Sequence, residues 1–417
     1  AKSKTLGSRK NENVDVLCYR FAALPTNEQI IQLNKTIGCC RYLWNRMLWD
    51  HNTLYQEIEV VPNNTPAIQE PGRMSLAEEV DSLALANVQL NLNQAFQKFF
   101  NGEAGHPRFK KKKVCKDSFT TNNVSGNVRM EGKGIRLPKL GILTLILHRK
   151  VKAGGKLKSV TVCHEKDGKW YCSISFEYPK TELVYPKPSE DMKHIGLDMS
   201  ATHLYVDSNG ELADFEKPYK KLQEKLAREQ RKFSHRQKDS KNYEKQRKVV
   251  AKLHAKIKHQ RQDRLHKLSE QLTREYDLIS IEDLDMSALK QTLNLGKSYS
   301  DNGWGMFVAM LLYKGKRNGC YIIKIDKWFP SSKTCSQCGY VHKELQLSDR
   351  TYVCPVCGNL IDRDEQAAIN IDLEGLRILL SDKIEDLIEK PVGTPGLAFI
   401  TTGLDGRSHP IIFHSRM

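Results

Sequence analysis

Four cysteines, Cys335, Cys338, Cys354 and Cys357, are spaced CxxC-x15-CxxC and constrain this chain more than any other feature. Zinc takes four soft or borderline ligands in a tetrahedron, and two CxxC turns held a dozen or more residues apart can close one without another partner. Each turn ends in a glycine, Gly339 and Gly358, as a tight CxxCG knuckle needs. The reading is one structural Zn2+, ahead of a redox pair or unpaired structural thiols. The remaining cysteines, Cys18, Cys39, Cys40, Cys115, Cys163, Cys172 and Cys320, show no such spacing and read mostly as small core residues. With no signal-peptide pattern and no long apolar run, the expectation is a cytoplasmic protein with reduced thiols. The second knuckle runs into the string DRDEQAAINI, which carries Asp362 and Asp364.

At 417 residues the chain exceeds one ordinary compact domain, and its 39% hydrophobic content is enough for more than one core. Its formal net charge of +17 asks for a polyanion as partner. Nucleic acid leads, because no helix pattern combines a large apolar face with a basic one, as membrane binding would need.

The segment Val14 to Leu24 alternates in part and predicts a strand, followed by Pro25 and a capping box from Thr26 to Gln29. Ile30, Leu33, Ile37, Tyr42 and Leu43 then recur at helical spacing up to about Asp50, and a second helix is expected between Ser75 and Phe100. From Gly105 onward the pattern is β-rich, with a hairpin turning at Asp167 and Gly168. The simplest arrangement is a β-barrel of residues 1–24 and 105–190, interrupted by a helical insertion at 25–104, with a linker at Tyr185 to Asp191. A second domain of α/β character follows, covering 191–330 and 358–380. It carries a long basic helical region from Glu216 to Tyr276, whose thin apolar stripe is Leu222, Leu226, Phe233, Val249, Leu253 and Ile257. A strand over Leu278 to Ile281, a helix over Gly303 to Lys316, a strand over Tyr321 to Asp326 and a helix over Glu365 to Leu380 complete it. The zinc insertion occupies 331–357, and 381–417 reads as a flexible tail.

Three acids sit at the edges of β-like segments far apart in sequence: Asp198 in IGLDMS, Glu282 in LISIEDL and Asp364 in DRDEQ. Two hard Mg2+ ions need several carboxylate oxygens converging on one point, and strand-borne side chains hold such oxygens rigidly. That set suits in-line phosphodiester hydrolysis. Singly, each acid is weak: Asp198 also suits a strand-end turn, and Asp364 a helix cap. Asp362 and Asp364 satisfy the spacing equally well. Lys245, Lys248, Lys252, Lys256, Arg261 and Arg264 on the basic helix are candidate phosphate contacts, which position a duplex without reading its bases. Trp44 and Trp304 suit base stacking less well than burial in a core.

The order strand, Asp, hairpin, basic helix, strand, Glu, helix, CxxC knuckles and DRDxxAAxNI resembles the split RuvC-like nuclease of the transposon-encoded TnpB family, whose relatives are the type V CRISPR effectors. The resemblance extends through LPTNEQ, HPRFKKK, FTTNN and LPKLG, and so covers residues 14 to about 372. It implies a bilobed fold: a β-barrel wedge domain interrupted by a helical recognition insertion, then a split RNase H-like domain with an inserted four-cysteine zinc knuckle. It implies the triad Asp198, Glu282 and Asp364 on two Mg2+, favouring Asp364 over Asp362, and the four cysteines on one Zn2+. Ser200 and Gln366 depart from the family's glycine and asparagine, and neither change removes a carboxylate.

By the same resemblance, Arg108, Lys110, Lys111, Lys112 and Lys113 contact the guide RNA scaffold. Thr120, Thr121 and Asn122, with the helical insertion, read a short DNA motif flanking the target. Asn87 and Gln89 carry amides suited to adenine edges. The function implied is an RNA-guided DNA endonuclease, acting as a monomer on guide RNA and double-stranded DNA, with base pairing reading the target. The alternatives are a miniature type V effector using a CRISPR RNA, and a nuclease-dead RNA-guided regulator.

Overall fold

The computed structural model describes residues 14–58, 78–112, 114–180, 184–200, 203–213, 218–284, 303–346 and 349–381. Lys113 and the tail after residue 381 lie outside them. The chain divides into two units, Ala1–Leu183 with Lys217–Asp263, and Val184–Glu216 with Arg264–Met417.

In the first unit, β1 (Val14–Leu24) turns Tyr19, Phe21 and Ala23 inward at alternate positions, the period a pleated strand imposes. Pro25 ends the strand, and the expected capping box starts α1 (Asn27–Ile58). Gln29 N donates to Thr26 Oγ1 at 3.2 Å, and Thr26 N donates to Gln29 Oε1 at 3.1 Å. Asp81 caps α2 (Ser82–Phe100), its carboxylate accepting from Leu83 N at 3.0 Å. Ala84, Val88, Leu92 and Phe96 then repeat every fourth residue and form that helix's buried face. Both helices share one core with the inner face of the sheet. Fully burying a side chain such as Phe21 stabilises the fold by about 1.5–3 kcal/mol.

The sheet itself is antiparallel, in the order β2-β6-β7-β1-β5-β4-β3, with strands at Asp117–Asn122, Arg129–Glu131, Gly134–Leu137, Gly141–Ile146, Lys156–His164 and Trp170–Pro179 for β2 to β7. Where a closed barrel was expected, β2 and β3 remain as the two edges of one seven-stranded sheet. Also in this unit, α3 (Pro218–Ser234) pairs with the start of α4 (Lys241–Glu275) through Leu226, Val250, Leu253 and Ile257. The stripe runs through Val250 rather than the expected Val249, which is exposed.

The second unit is built on a four-stranded sheet, β11-β10-β8-β9, with β8 at His194–Met199, β9 at Tyr205–Asp207, β10 at Leu278–Glu282 and β11 at Tyr321–Ile325. Strands β8, β10 and β11 are parallel, so each connection between them crosses over through helix: α3 and α4 after β9, then α5 (Trp304–Asn318) between β10 and β11. Leu278 to Ile281 are all buried, the continuous run of a strand covered on both faces. The YPKPSED stretch is tied into this unit: Tyr185 packs on Tyr321, and Tyr321 Oη donates to Pro186 O at 3.1 Å.

One face of the sheet is covered by α6 (Arg363–Ser381), which follows the short antiparallel pair β12 (Thr351–Val353) and β13 (Leu360–Asp362). The approach is close because glycines stand on both sides. A Cβ on Gly196 of β8 would lie 2.2 Å from Ala368 O, and one on Gly375 of α6 would lie 1.9 Å from Ser280 Oγ. Trp304 and Trp44 are both buried, as core aromatics.

An ion network braces α4 against α5: Glu270 accepts from Arg274 at 2.7 Å and from Arg317, with Lys314 Nζ at 3.5 Å. Burial pushes the Glu270 carboxyl upward, but the arginine hydrogen bonds and the Lys314 charge outweigh it and hold it at about 2. A depressed carboxyl stabilises the fold above its unfolded value and loses that contribution as pH falls toward about 2. Glu270→Gln is therefore expected to lower stability at pH 7 by about 1.5–3 kcal/mol. The gap to wild type should narrow on acidification below pH ~4, and denaturant melts at both pH values check it.

Candidate active site and metal centre

The parallel register pairs Ile281 with Leu197, so the next residues, Glu282 and Asp198, end adjacent strands side by side. Strands in a sheet lie about 4.8 Å apart, and equivalent positions on parallel strands face the same way. The third acid arrives from elsewhere: α6, flush on β8 and β10, opens with Arg363 and Asp364. Burial pushes the Asp198 carboxyl well above the usual range, and the negative charges of Glu282 and then Asp364 add to it, with Arg363 opposing. Glu282 is also raised by burial, against the bond donated by Ser331. Asp198 thus feels the negative charges of both other acids, and carboxylate oxygens are the donors that hard divalent cations take.

The choice between Asp362 and Asp364 turns on the cap of α6. Asp362 is exposed, and its Oδ1 accepts from Asp364 N at 2.8 Å and Glu365 N at 3.2 Å, satisfying the helix start. Asp364 is half-buried and acts electrostatically on Asp198. A cavity of about 270 Å³ is lined by Asp362 and Asp364 alike, together with Ser200, His203 and Glu365. Sequence reasoning missed His203 because a lone histidine in a turn carries no spacing signal.

Among the described residues, the four cysteines are the set whose ligand atoms come within 4.8 Å of one another. The Cys335 and Cys357 sulfurs lie 3.6 Å apart, and those of Cys338 and Cys354 lie 3.5 Å apart. Zn–S bonds of about 2.3 Å in a tetrahedron place sulfurs about 3.8 Å apart, so the donor set fits zinc. The two knuckles repeat one geometry: Cys335 N donates to Tyr340 O and Cys354 N to Asn359 O, both at 2.8 Å. Gly339 and Gly358 adopt φ of 73° and 75°, the left-handed turn that favours glycine. Burial works against a thiolate at Cys354, but the amides of Cys357 and Val356 outweigh it and bring the thiol to about 6.

A polar ladder joins the knuckle to the carboxylates. Gln366 Nε2 donates to Thr334 O at 2.6 Å, while its Oε1 accepts from Ser336 Oγ at 3.2 Å and Asn359 Nδ2 at 3.3 Å. One turn on, Asn370 Nδ2 donates to Thr334 O at 2.6 Å and Ser331 O at 2.7 Å. Ser331 Oγ then donates to Glu282 Oε1 at 2.6 Å. Gln366 and Asn370 are both buried, so these are obligatory partners in a low-dielectric setting. Ser331→Ala is expected to lower metal-dependent cleavage about 10–100-fold with zinc content unchanged. Cleavage rates over a divalent-ion titration, with metal analysis of the same samples, check it.

The candidate nucleic-acid residues separate. Arg108, Lys111 and Lys112 are exposed. Lys110 is not a solvent-facing cation: its Nζ sits 3.8 Å from the centre of the Trp44 ring, and Asn45 clamps its backbone at 2.7 and 2.9 Å. It pins the basic segment to α1, and burial pushes its ammonium down. Thr121 is fully buried, because β2 alternates and Phe119 and Thr121 take its inward face. Its side chain therefore faces the core rather than solvent. Thr120 bonds the Thr161 hydroxyl at 2.8 Å, and Asn122 is half-buried at the end of an edge strand.

Asn87 Nδ2 donates to Leu83 O at 2.8 Å within its own helix, and Gln89 is half-buried nearby. Lys245, Lys248, Lys252 and Lys256 are all exposed, and at 100° per residue they span an arc of about 80° on α4. They lie away from buried Val250, Leu253 and Ile257, whereas Arg261 and Arg264 are half-buried. Among the described residues no helix is long and apolar enough to cross a membrane.

Comparison with known proteins places this geometry. The OrfB_IS605 model, described as "Probable transposase", matches residues 162–293, and a "Cas12f1-like, TNB domain" model matches 304–371. A "Helix-turn-helix domain" model matches 17–59, which here form a strand and one long helix. A protein of Streptomyces pristinaespiralis named "Putative RNA-guided DNA endonuclease" is 32% identical over 86% of this chain and 88% of its own length. Escherichia coli (strain K12) has one named "Putative RNA-guided DNA endonuclease InsQ", 29% identical over 87% of this chain and 92% of its own. A Cas12f1-sgRNA-target DNA complex shares the fold, with a TM-score of 0.52 at 12% identity over 82% of each chain. With a relative at that identity and coverage, the chain belongs to the OrfB_IS605/TnpB family.

Proposed function

We propose that the protein is an RNA-guided DNA endonuclease with a single RuvC-like site. The observation that carries this reading is the gathering of Asp198, Glu282 and Asp364 at one edge of the parallel sheet, where the helix bearing Asp364 is also tied to the four-cysteine knuckle. Relatives named as RNA-guided DNA endonucleases support the same reading. In the proposed mechanism Asp198, Glu282 and Asp364 would hold two Mg2+, which when bound supply a polarised water and charge neutralisation at the scissile phosphate. Asp198 and Glu282 present their carboxylates from fixed strand positions, and Ser331 orients Glu282. Asp362 and Gln366 fix the start of α6 so that Asp364 reaches the same point. The four cysteines would hold one zinc that braces this helix start.

The partners proposed are a guide RNA and double-stranded target DNA, with one protein per ribonucleoprotein. Arg108, Lys111, Lys112 and the exposed lysine face of α4 are the phosphate contacts, and Asn122 and Gln89 lie on elements that meet the flanking DNA. The wedge, recognition and nuclease divisions read from the sequence stand as the domain proposal. The second reading is a miniature type V effector loaded by a CRISPR RNA, and the match of residues 304–371 to a Cas12f1-like domain is the observation behind it.

The test is to express the chain with its native flanking DNA, sequence the RNA that copurifies, and challenge the complex with plasmids carrying the matched target beside randomised flanks. A transposon-end transcript with Mg2+-dependent cutting is the expected result. Processed repeat RNA would favour the second reading, and no guide-dependent cutting would refute both.

A further inference from the structure

Trp328 is the most exposed Trp, Phe or Tyr among the described residues, at 80% exposure, and it stands beside the carboxylate site. Its backbone is nevertheless held firmly. Asp326 Oδ1 accepts from Trp328 N at 2.7 Å, Phe329 N donates to Asp326 O at 3.0 Å, and the Phe329 ring packs against the cluster of Met192, Leu278, Tyr321 and Ile325. On one side of Trp328, Ile325 pairs with Glu282 in the β10–β11 ladder. On the other, Ser331 bonds the Glu282 carboxylate. Three residues of chain reach at most about 11 Å, so the indole is anchored within that distance of both. Lys327 Nζ lies 5.1 Å from the indole centre, and an open cavity of about 520 Å³ adjoins it, lined by Asp283, Leu284, Lys324, Ile325, Asp326 and Lys327.

A flat apolar ring, fixed at its backbone, bare to water and with the Lys327 ammonium beside it, has the chemistry that holds an unpaired nucleobase. Every base offers a π-face, and stacking on an aromatic side chain is sequence-tolerant. Bases inside a duplex already cover their faces. We propose that Trp328 is a stacking platform for an unpaired base of the DNA strand delivered to Asp198, Glu282 and Asp364. This rests on the nuclease reading of that site and extends it: the indole supplies the grip on a displaced single strand that carboxylates, which repel phosphates, cannot supply.

Fluorescence titration of the full chain with its copurifying RNA tests the proposal, using the Asp198→Ala background without Mg2+ and short oligo-dT and oligo-rU strands as probes. The chain has five tryptophans; Trp44, Trp170 and Trp304 are buried, and Trp49→Phe removes the other exposed one. Oligo-dT should quench emission in the Trp49→Phe protein, and the quench should vanish when Trp328→Phe is added. By anisotropy, Trp328→Ala should weaken oligo-dT binding about 5- to 100-fold, with Trp328→Phe restoring most of it and Trp328→Leu little.

Unchanged affinity in Trp328→Ala, or equal binding by the Leu and Phe variants, overturns the proposal. Tighter binding of oligo-rU than oligo-dT overturns its assignment to the DNA strand. Parallel cleavage assays with Asp198 intact separate the two readings. Guide-dependent cutting with no effect of Trp328→Ala on binding sinks the stacking alone, whereas quenching by oligo-dT without any cutting sinks the nuclease reading alone.

Discussion

Asp198→Ala is expected to reduce guide-dependent DNA cleavage by at least ~10³-fold, several kcal/mol of transition-state stabilisation, while target binding stays at the wild-type level. The residue is the last but one of β8, beside Glu282 on the next strand, so its loss removes a proposed oxygen donor without taking an apolar side chain from the sheet core. A second readout separates a catalytic carboxylate from a structural one. Burial and the charges of Glu282 and Asp364 hold the Asp198 carboxyl above its unfolded value, so ionising it works against folding of the metal-free protein. That penalty is absent below the unfolded pKa and complete once pH has risen through the folded one. Asp198→Asn should therefore raise the metal-free Tm near pH 8, by about 2–4 °C per kcal/mol relieved. Mg2+ should stabilise the wild type and leave the variant unmoved. Cleavage at the wild-type rate, or a Tm response to Mg2+ that survives the substitution, would remove Asp198 from the site.

Cys354→Ser is expected to take the protein from one zinc per chain to substoichiometric zinc and to lower cleavage at least ~100-fold. Structural zinc contributes on the order of 10 kcal/mol to small zinc-knuckle folds, comparable with the whole stability of a domain. Among the described residues the knuckle's own apolar cluster is Cys335, Tyr352 and Cys354 with Leu345 and Ile361 packed beside them, too little to hold its shape alone. Its collapse would withdraw Thr334 O and Ser331 O from Gln366 and Asn370, leaving buried amides unsatisfied at about 1–3 kcal/mol each. Glu282 would lose the Ser331 hydroxyl by the same route. Guide RNA binding should survive. Metal analysis, RNA retention and cleavage on one preparation decide it, and full activity in zinc-free protein would show the knuckle to be independent of the site.

Much of this was legible in the chain because the signals are local. A CxxC turn closes on itself, so the zinc ligands follow from spacing, and the Thr26–Gln29 capping box lies within four residues of sequence. Strand ends marked Asp198 and Glu282 as candidates, since each acid follows a short, mostly apolar run. The TnpB resemblance rests on such local strings in fixed order.

What sequence could not decide depends on partners far along the chain. Lys110 reads as one lysine of a basic run until Trp44 and Asn45 are seen to take it, and Thr121 reads as polar until the pleat turns it inward. Asp362 and Asp364 differ by two positions and their spacing is equivocal; the resemblance favours Asp364, and the cap on α6 and the field at Asp198 point the same way. Ser331, Gln366 and Asn370 carry no motif of their own, because their hydrogen-bond partners across the zinc loop and the sheet lie roughly 30 to 50 residues away. The sequence by itself supplied the four-cysteine spacing, the family resemblance and the candidate acids Asp198, Glu282 and Asp364, all carried by short local strings. Only the tertiary structure showed how the four-cysteine knuckle is joined to Glu282 through Gln366, Asn370 and Ser331, because glycines on both sides of the contact, Gly196 on β8 and Gly375 on α6, let the helix pack closely on the sheet.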